Sequence, residues 1–265
     1  MSLWDRTERK LRQKEYRKDR EQRYLIKRSE LDESLEEVFD RQTLMTIYDM
    51  LNTGKLREVM GVVSAGKESR IYHGLDGAGA EVAVKIYLVS SAEFRRNRLQ
   101  YVVNDPRFKK IPRNFRRFIY LWSEREYANL TQAFNAGIPV PKPLFQLNNV
   151  MVMEFLGENG VRYPLLHEER FEVDELETIY SQVTYILRNL YMDAGMVHGD
   201  LSQYNIMVGK GLKVYLIDLA QAVSKDHPMA ETFLNHGVTV LCRFFSKAGL
   251  SVDSNDMLRK ITNRG

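Results

Sequence analysis

The chain has 265 residues, of which 44% are hydrophobic and 28% charged, with a formal net charge of +4. This is enough apolar material for one sizeable core or two small lobes. The first residues become charged at once, and no run approaches the roughly 20 apolar residues of a membrane span. We therefore expect a soluble, cytoplasmic protein with no membrane partner. The single cysteine, Cys242, rules out an intrachain disulfide and lies in an apolar run, which indicates a core position.

Residues 1–55 are predicted to form a polar, helical extension. Between Arg6 and Arg28, basic residues clearly outnumber acidic ones. Such a segment can neutralise the phosphates of a nucleic acid, but a solvated helix face has the same composition, and both readings stay open. The extension closes with an apolar-rich stretch, and Gly54 is expected to end its last helix.

Short β-rich runs follow, broken by glycines. The predicted strands are residues 59–63, 70–74, 81–88, 144–147 and 150–155. A turn at residues 76–79 is expected to join two of them as a hairpin. Between the strands, the basic stretch 95–117 shows no periodicity and is interpreted as a mobile loop, and a helix is predicted from residue 118 to 136.

The second half of the chain is predicted to be mainly helical. Apolar residues recur at helical spacing from residue 173 to Ala194-Gly195, and short strands are expected at 206–208 and 214–217. The predicted fold class is α+β. It has an extension at 1–55, a β-rich lobe at 56–156 with its flexible loop at 95–117, and a reduced helical lobe at 157–265. A cleft is expected between the two lobes.

The strongest chemical pattern is the segment 198–205, His-Gly-Asp-Leu-Ser-Gln-Tyr-Asn, followed by Asp218 at the end of an apolar strand. Phosphoryl transfer requires a carboxylate near the attacking oxygen and oxygen ligands for Mg²⁺. Asp200 suits the first task, and Asn205 with Asp218 suits the second. Kinases show this spacing in their catalytic loop and metal-binding aspartate. The alternative is that these side chains merely cap turns.

A second pattern is the strand Val-Ala-Val-Lys at residues 82–85, which places Lys85 in a buried setting. An unpaired buried ammonium is costly, so a partner is expected. A lysine that contacts the phosphates of a nucleotide and is anchored by a helix carboxylate explains the position. Glu126 is the preferred partner, and Glu124 is its competitor.

The third pattern is the loop Ser-Ala-Gly-Lys-Glu-Ser at residues 64–69, whose backbone N–H groups could cover phosphates. Residues 61–67 resemble the start of a Walker A loop. Glu68 stands where that loop needs Ser or Thr, however, and a strand is predicted where it needs a helix. The Walker A interpretation is therefore rejected, and the loop also differs from the glycine-rich pattern of ordinary protein kinases.

Together, the loop at 64–68, the segment 198–205 and the segment 216–223, Leu-Ile-Asp-Leu-Ala-Gln-Ala-Val, resemble the RIO family of atypical serine/threonine protein kinases. The resemblance covers about residues 50–250 and favours the type-one branch in its short, archaeal-like form. It implies a two-lobed, protein-kinase-like fold. Gly199 stands where many type-one members have alanine, a difference expected to matter little.

The resemblance also implies roles for single residues. Lys85, anchored by Glu126, would contact the phosphates of ATP, and Asp200 would be the catalytic aspartate. Asn205 and Asp218 would hold Mg²⁺, with Mn²⁺ as an alternative ion. Asp218 would in addition accept a phosphoryl group, as an aspartyl-phosphate. The remaining expected contacts to ATP are the main chain of Glu154 and Leu156 with adenine, and the loop residues Ser64, Gly66 and Lys67.

Ordinary protein kinases place an activation segment and substrate-docking helices after the metal-binding aspartate, and we expect none in residues 219–265. The resemblance implies an ATPase that acts on the pre-ribosomal small-subunit particle, with rRNA and ribosomal proteins as partners. Two alternatives stay open. One is a small-molecule phosphotransferase of the aminoglycoside-kinase type, for which the chain after Asp218 is expected to be too short. The other is a catalytically inactive pre-ribosome scaffold.

Overall fold

The computed structural model describes residues 38–89, 92–103, 105 and 110–262. The basic segment from Arg6 to Arg28 lies outside the described residues. The chain divides into two compact units, Met1–Tyr48 and Asp49–Gly265. Helix α1, Arg41–Asn52, begins in the first unit, where Asp40 caps it by accepting the backbone N–H of Gln42 at 3.0 Å. The predicted end of this helix is confirmed, because Gly54 has φ +71°.

Five antiparallel strands form the sheet of the β-rich half, in the order β1-β2-β3-β5-β4. The strands are β1 Leu56–Ala65, β2 Ser69–Asp76, β3 Glu81–Tyr87, β4 Pro143–Leu147 and β5 Val150–Glu154. The predicted hairpin is confirmed, and the strand β2 that follows the loop at 64–69 supports the rejection of a Walker A loop. Strand β3 is central and buried, which suits its run of β-branched and apolar residues.

Two helices follow β3, and one of them corrects the sequence prediction. Helix α2, Ala92–Val102, occupies part of the stretch 95–117 that was interpreted as a loop, so the loop interpretation is wrong there. The helix was missed because arginines share its buried side. Arg95 lies over the Phe118 ring and Arg98 over the Trp122 ring, with their guanidinium carbons 5.7 Å from the ring centroids.

Helix α3, Phe115–Asn135, begins three residues before its predicted start. Asn114 caps it, because its Oδ1 accepts the backbone N–H of Arg117 at 3.1 Å. Its buried face carries polar and charged side chains among apolar ones. The helix packs against β4 and β5 and against a short 3₁₀-helix, Leu219–Gln221.

The remaining elements form the helical half. They are β6 Gly157–Glu158, β7 Val161–Arg162, α4 Val173–Met192, β8 Met196–Val197, β9 Ile206–Val208, β10 Val214–Leu216, β11 Val223–Ser224, α5 Ala230–Lys247 and α6 Ser254–Thr262. Strand β9 pairs with β10, and β11 pairs with β8. The predicted helix from residue 173 and the two short strands are confirmed. These short ladders present the segment 198–205 and Asp218 as loops beside one another.

A continuous hydrophobic core joins α3 to helices α4, α5 and α6. Cys242 is buried in it, with its Sγ 3.6 Å from Sδ of Met257, so its predicted core position is confirmed. In the part of the chain that the structure describes, none of the helices is both long enough and apolar enough to cross a membrane. The predicted α+β class is confirmed by a sheet-rich first half and a helical second half.

Candidate functional site

A cleft lies between the sheet and the helical half of the unit Asp49–Gly265. Its empty volume is about 1100 Å³, part of which is open to solvent. Strands β1, β2, β3 and β5 line one side, and the loop before β9 and the residues after β10 line the other. Of the predicted site residues, the cleft is lined by Ser64, Gly66, Lys85, Glu126, Glu154, Leu156, Asn205 and Asp218.

Lys85 is the centre of a charged cluster in this cleft. Its Nζ lies 2.7 Å from Oε1 of Glu126 and 3.1 Å from Oδ1 of Asp218. The side chains of Lys85 and Glu126 are 5% and 3% exposed, whereas that of Asp218 is 46% exposed. Tyr87, two residues further along the same strand, donates its hydroxyl to the other carboxylate oxygen of Glu126. The predicted choice of Glu126 as the partner of Lys85 is therefore confirmed.

The pKa shifts favour the charged forms of Lys85 and Asp218. Burial opposes the charge on Lys85, but the carboxylates of Asp218 and Glu126 outweigh burial and raise the pKa of the ammonium above its usual range. Burial also opposes ionisation of Asp218, yet the ammonium of Lys85 holds the pKa of that carboxyl below its usual range. For Glu126, burial prevails over the attraction of Lys85 and raises the pKa. A cation and an anion thus stand side by side at the cleft surface.

The chain adopts an unusual backbone conformation at Asp218, with φ +59° and ψ +68°. This left-handed conformation is uncommon for a residue other than glycine and costs free energy, so the surrounding contacts must maintain it. Part of that support comes from the buried His198, whose Nε2 donates to the carbonyl of Ile217 at 3.0 Å. Burial lowers the pKa of His198, which is consistent with a neutral ring in this role.

Asp200 and Asn205 are held together by the turn between β8 and β9. The side-chain amide of Asn205 donates to the carbonyl of Asp200 at 2.6 Å, so its Oδ1 is left to face a ligand. Asp200 is exposed and stands at the margin of the cleft rather than in its lining. Within the described residues, no three His, Cys, Asp or Glu side chains gather into a metal site. A cation would rely on Asn205, Asp218 and phosphate oxygens, as Mg²⁺ does in nucleotide sites.

The loop between β1 and β2 differs in part from its prediction. Ser64 and Gly66 line the cleft, but the exposed Lys67 does not, so the structure does not bring Lys67 to the predicted site. The N–H of Gly66 donates to the carbonyl of Ser69 at 2.9 Å and is not free for a phosphate. The tight turn uses this N–H and directs Lys67 outward. Glu68 instead forms an ion pair with Arg98 of α2, which no sequence pattern predicted.

The segment after β5 provides the main-chain groups predicted to meet adenine. The N–H of Glu154 donates to the carbonyl of Lys142 at 2.8 Å, so only its carbonyl is left for a base. Leu156 is buried, and its carbonyl accepts the N–H of Tyr163 at 2.9 Å. Among the described residues, the N–H of Leu156 makes no hydrogen bond. One acceptor and one donor are therefore available at an apolar wall, which suits a purine edge.

Sequence reasoning missed the residues that hold the segment after Asp218. Arg125 of α3 is fully buried, donates to the carbonyls of Ala220 and Ala222, and lies 3.5 Å from the carboxylate of Asp105. Asn129, one turn further, donates to the carbonyls of Leu219 and Ala222 at 2.8 and 3.1 Å. The available signal was the presence of Arg125 and Asn129 on the same helix stripe as apolar residues, where unpaired polar groups are costly.

A paired carboxylate in the segment that follows β7 gives a pH-dependence prediction. Glu168 accepts two hydrogen bonds from Arg162, at 2.6 and 2.7 Å, and one from the N–H of Leu165 at 2.9 Å. The Arg162 bonds lower the pKa of Glu168 from 4.5 to about 2. Since the folded pKa is depressed, the pair stabilises the fold above the unfolded pKa, and that contribution is lost as the pH falls from about 4.5 to about 2.

The change Glu168→Gln is expected to flatten the dependence of the unfolding free energy on pH in this window, measured by urea unfolding across a pH series. Glu169→Gln, at an exposed neighbour, is the control and should keep the slope of the unaltered protein. Equal slopes for the two variants would contradict the prediction.

Comparison with known proteins places these features in context. Residues 70–257 match the family model described as "RIO domain". The chain is 37% identical, over 249 residues, to the "RIO-type serine/threonine-protein kinase Rio1" of Haloferax volcanii, covering 93% of this chain and 84% of that protein. It is 36% identical, over 237 residues, to the "Serine/threonine-protein kinase RIO1" of Chaetomium thermophilum, covering 83% of this chain and 45% of that protein. The chain thus spans less than half of the fungal relative.

Solved structures show the same fold. The Rio2 kinase of Chaetomium thermophilum superposes with a TM-score of 0.62 at 22% identity, covering 83% of this chain and 68% of that one. A structure described as its complex with ADP, Mg²⁺ and phosphoaspartate gives a TM-score of 0.60 at 20% identity, covering 83% and 66%. The predicted two-lobed, protein-kinase-like fold is confirmed.

Proposed function

The chain belongs to the RIO family of atypical serine/threonine-protein kinases, in its type-one branch, and from this premise we propose that it cleaves Mg²⁺-ATP through an aspartyl-phosphate on Asp218. The observation that carries the proposal is the position of the Asp218 carboxylate. It is ionised, reaches the cleft surface, and is held by the ammonium of Lys85, which is itself fixed by Glu126. The positive charge of Lys85 is thereby held in advance near the place where negative charge would develop on the transferred phosphoryl group.

In the proposed arrangement, adenine binds the carbonyl of Glu154 and the N–H of Leu156, and the phosphates lie near Ser64, Gly66 and Lys85. Support comes from the cleft lining and from the unused N–H of Leu156. Lys67 has no place in this arrangement, because its side chain is exposed and outside the cleft. Among the predicted site residues, Lys85 is therefore the one whose positive charge offsets the phosphate charge. The bound cation would offset the rest.

The metal would be held by Asn205 and Asp218 together with phosphate oxygens. The chemistry of these donors, one amide and one carboxylate oxygen, fits the hard cation Mg²⁺, and Mn²⁺ accepts the same ligands. When bound, the cation withdraws charge from the transferred group. The fit is supported by the hydrogen bond that orients the Asn205 amide and leaves its oxygen available.

The proposed reaction has two steps. A carboxylate oxygen of Asp218 attacks the γ-phosphorus, the bond from that phosphorus to the β,γ-bridging oxygen breaks, and ADP leaves. Water then attacks the acyl phosphate, inorganic phosphate leaves, and the carboxylate is restored, with Asp200 accepting the proton of the water. A phosphoaspartate occurs in the described complex of the Rio2 kinase, and this supports the same chemistry here.

We propose further that this cycle acts on a pre-ribosomal small-subunit particle in the cytoplasm, through rRNA and ribosomal proteins. The proposed division is an extension at 1–55, a β-rich lobe at 56–156 and a helical lobe at 157–265. The proposal of a pre-ribosomal partner is supported by the family membership and by the excess of basic residues between Arg6 and Arg28, which suits binding to a polyanion. A hydroxyl of a protein acceptor would replace water in the second step if the enzyme also phosphorylates proteins.

The first test is incubation with γ-labelled ATP and Mg²⁺, followed by treatment of the labelled protein with acid and with hydroxylamine. We expect label that survives acid and is released by hydroxylamine, as an acyl phosphate. Asp218→Asn should abolish both this label and ATP turnover. Asp193→Asn, at an exposed position near the end of α4, is the matched control and should keep both.

The outcomes separate the alternatives. Label that resists hydroxylamine would indicate a phosphorylated serine or threonine and would contradict the proposed aspartyl-phosphate intermediate. Unchanged turnover in Asp218→Asn would overturn the whole proposal. Absence of turnover in the unaltered protein, with nucleotide-independent RNA binding, would identify a scaffold. Turnover stimulated by small hydroxylated acceptors, and not by small ribosomal subunits, would identify a small-molecule phosphotransferase.

A further inference from the structure

We propose that Gln221 is a positioning residue for Asp200, holding one oxygen of that carboxylate so that the other is presented to the attacking water or hydroxyl. This inference rests on the proposed function. The direct observation is a hydrogen bond from Nε2 of Gln221 to Oδ2 of Asp200, at 2.9 Å. Among the hydrogen bonds of the described residues, this is the one that reaches the Asp200 carboxylate.

The backbone around Asp200 is fixed, but its side chain depends on Gln221. The N–H of Asp200 lies 3.4 Å from Nδ1 of the buried His198, and its carbonyl accepts the amide of Asn205 at 2.6 Å. These contacts set the position of the α-carbon. They leave the carboxylate free to turn, because terminal sp³–sp² torsions are broad. The bond from Gln221 removes that freedom.

Gln221 can act in this way because its own backbone is clamped. It ends the 3₁₀-helix Leu219–Gln221. The carbonyls of its neighbours accept the side chains of Arg125 and Asn129; these neighbours are Leu219, Ala220 and Ala222. Both side chains are fully buried in α3. Glu126, on the same helix, fixes Lys85. One rigid helix therefore sets the phosphate-binding lysine directly and the Asp200 carboxylate through Gln221.

A close backbone contact brings the two segments together. A Cβ added to Gly199 would lie 2.1 Å from the carbonyl oxygen of Gln221, so the two backbones are nearer than any side chain allows. Gly199 has φ +80°, a conformation open to glycine. Gln221 is thereby placed within reach of Asp200, the residue that follows Gly199.

The choice of an amide has a chemical reason. A lysine or arginine at position 221 would also donate to Asp200, but its positive charge would weaken the carboxylate as a proton acceptor. A glutamine orients the carboxylate as a neutral donor. In the second step of the proposed reaction, the oxygen of the attacking water forms the new bond to phosphorus, and the proton of that water passes to Asp200. An oriented acceptor favours this step and contributes nothing to nucleotide binding.

The test compares Gln221→Ala and Gln221→Glu with the unaltered protein, in ATP turnover and in the affinity for Mg²⁺-ADP measured by calorimetry. We expect kcat to fall about 10- to 100-fold in Gln221→Ala, while KM and the ADP affinity stay within about 2-fold. Gln221→Glu removes the donor and adds a like charge beside Asp200, so its kcat should fall at least as far. Gln132→Ala is the control, since that amide donates to the carbonyl of Ala194 at 2.7 Å, away from the cleft.

Two results would overturn the inference. One is kcat within about 2-fold of the unaltered value in Gln221→Ala. The other is a parallel loss of ADP affinity, which would show that the cleft itself is disrupted. Asp200→Ala and Asp218→Asn are measured alongside. If both lose turnover while Gln221→Ala keeps it, only the role of Gln221 fails; if both keep turnover, the proposed function fails.

Discussion

Lys85→Met is expected to lower kcat/KM for ATP by at least about 10²-fold and to destabilise the fold. The ammonium is 5% exposed and pairs with both Glu126 and Asp218, so its removal leaves two carboxylates of like charge near one another. Removing one partner of a buried pair costs about 3–5 kcal/mol, because the other charge stays uncompensated. Turnover kinetics and urea unfolding measure the two effects.

The double variant Lys85→Met/Glu126→Leu separates them. With both charges of the buried pair gone, its unfolding free energy should recover much of the loss seen in Lys85→Met, while turnover stays lost. Lys142→Met, at an exposed position, should change stability by no more than about 0.5 kcal/mol. A single variant as stable as this control would show that the charge of Lys85 is not needed by the fold.

Gly199→Ala is expected to reduce both stability and kcat. The positive φ alone costs a residue other than glycine about 1–2 kcal/mol. The new Cβ would also stand 2.1 Å from the carbonyl oxygen of Gln221, and backbone must move to admit it. Since that movement separates Gln221 from Asp200, kcat should fall by about tenfold or more. Chemical unfolding and steady-state kinetics provide the measurements.

Gly211→Ala is the matched control, because Gly211 has φ +64° and nothing within 4 Å of an added Cβ. It should show the conformational cost alone, with kcat preserved. Equal losses of stability in the two variants would mean that the contact with Gln221 is easily relieved. The close approach of Gln221 to position 199 thus favours a larger effect than the sequence comparison predicts.

Local chemistry made much of the candidate site predictable. Lys85 lies in a buried strand and requires a carboxylate partner, and the sequence motif favours Glu126 for that role. Asn205 and Asp218 flank the short strands β9 and β10, so a hairpin brings them together whatever the rest of the chain does. The second pairing follows from one hairpin, and the first from the need of a buried ammonium for a carboxylate partner.

The features that were missed arise where distant segments meet. On helix α2, Arg95 and Arg98 cover aromatic rings, and a pattern of apolar spacing does not detect that arrangement. The contact between Gly199 and Gln221 depends on two loops that approach each other only in the folded chain. The outward direction of Lys67 follows from the turn geometry that uses the N–H of Gly66.

The four hydrogen bonds from Arg125 and Asn129 to the segment after Asp218 bear on how this enzyme could be switched on and off. Displacing α3 would break two charged bonds, at about 1.5–3 kcal/mol each, and two neutral ones, at about 1 kcal/mol each. A cost of about 5 kcal/mol or more leaves the displaced state at roughly one molecule in 10⁴. Control through outward movement of this helix is therefore disfavoured, and the site is expected to be assembled at rest, with its output governed by access to the cleft.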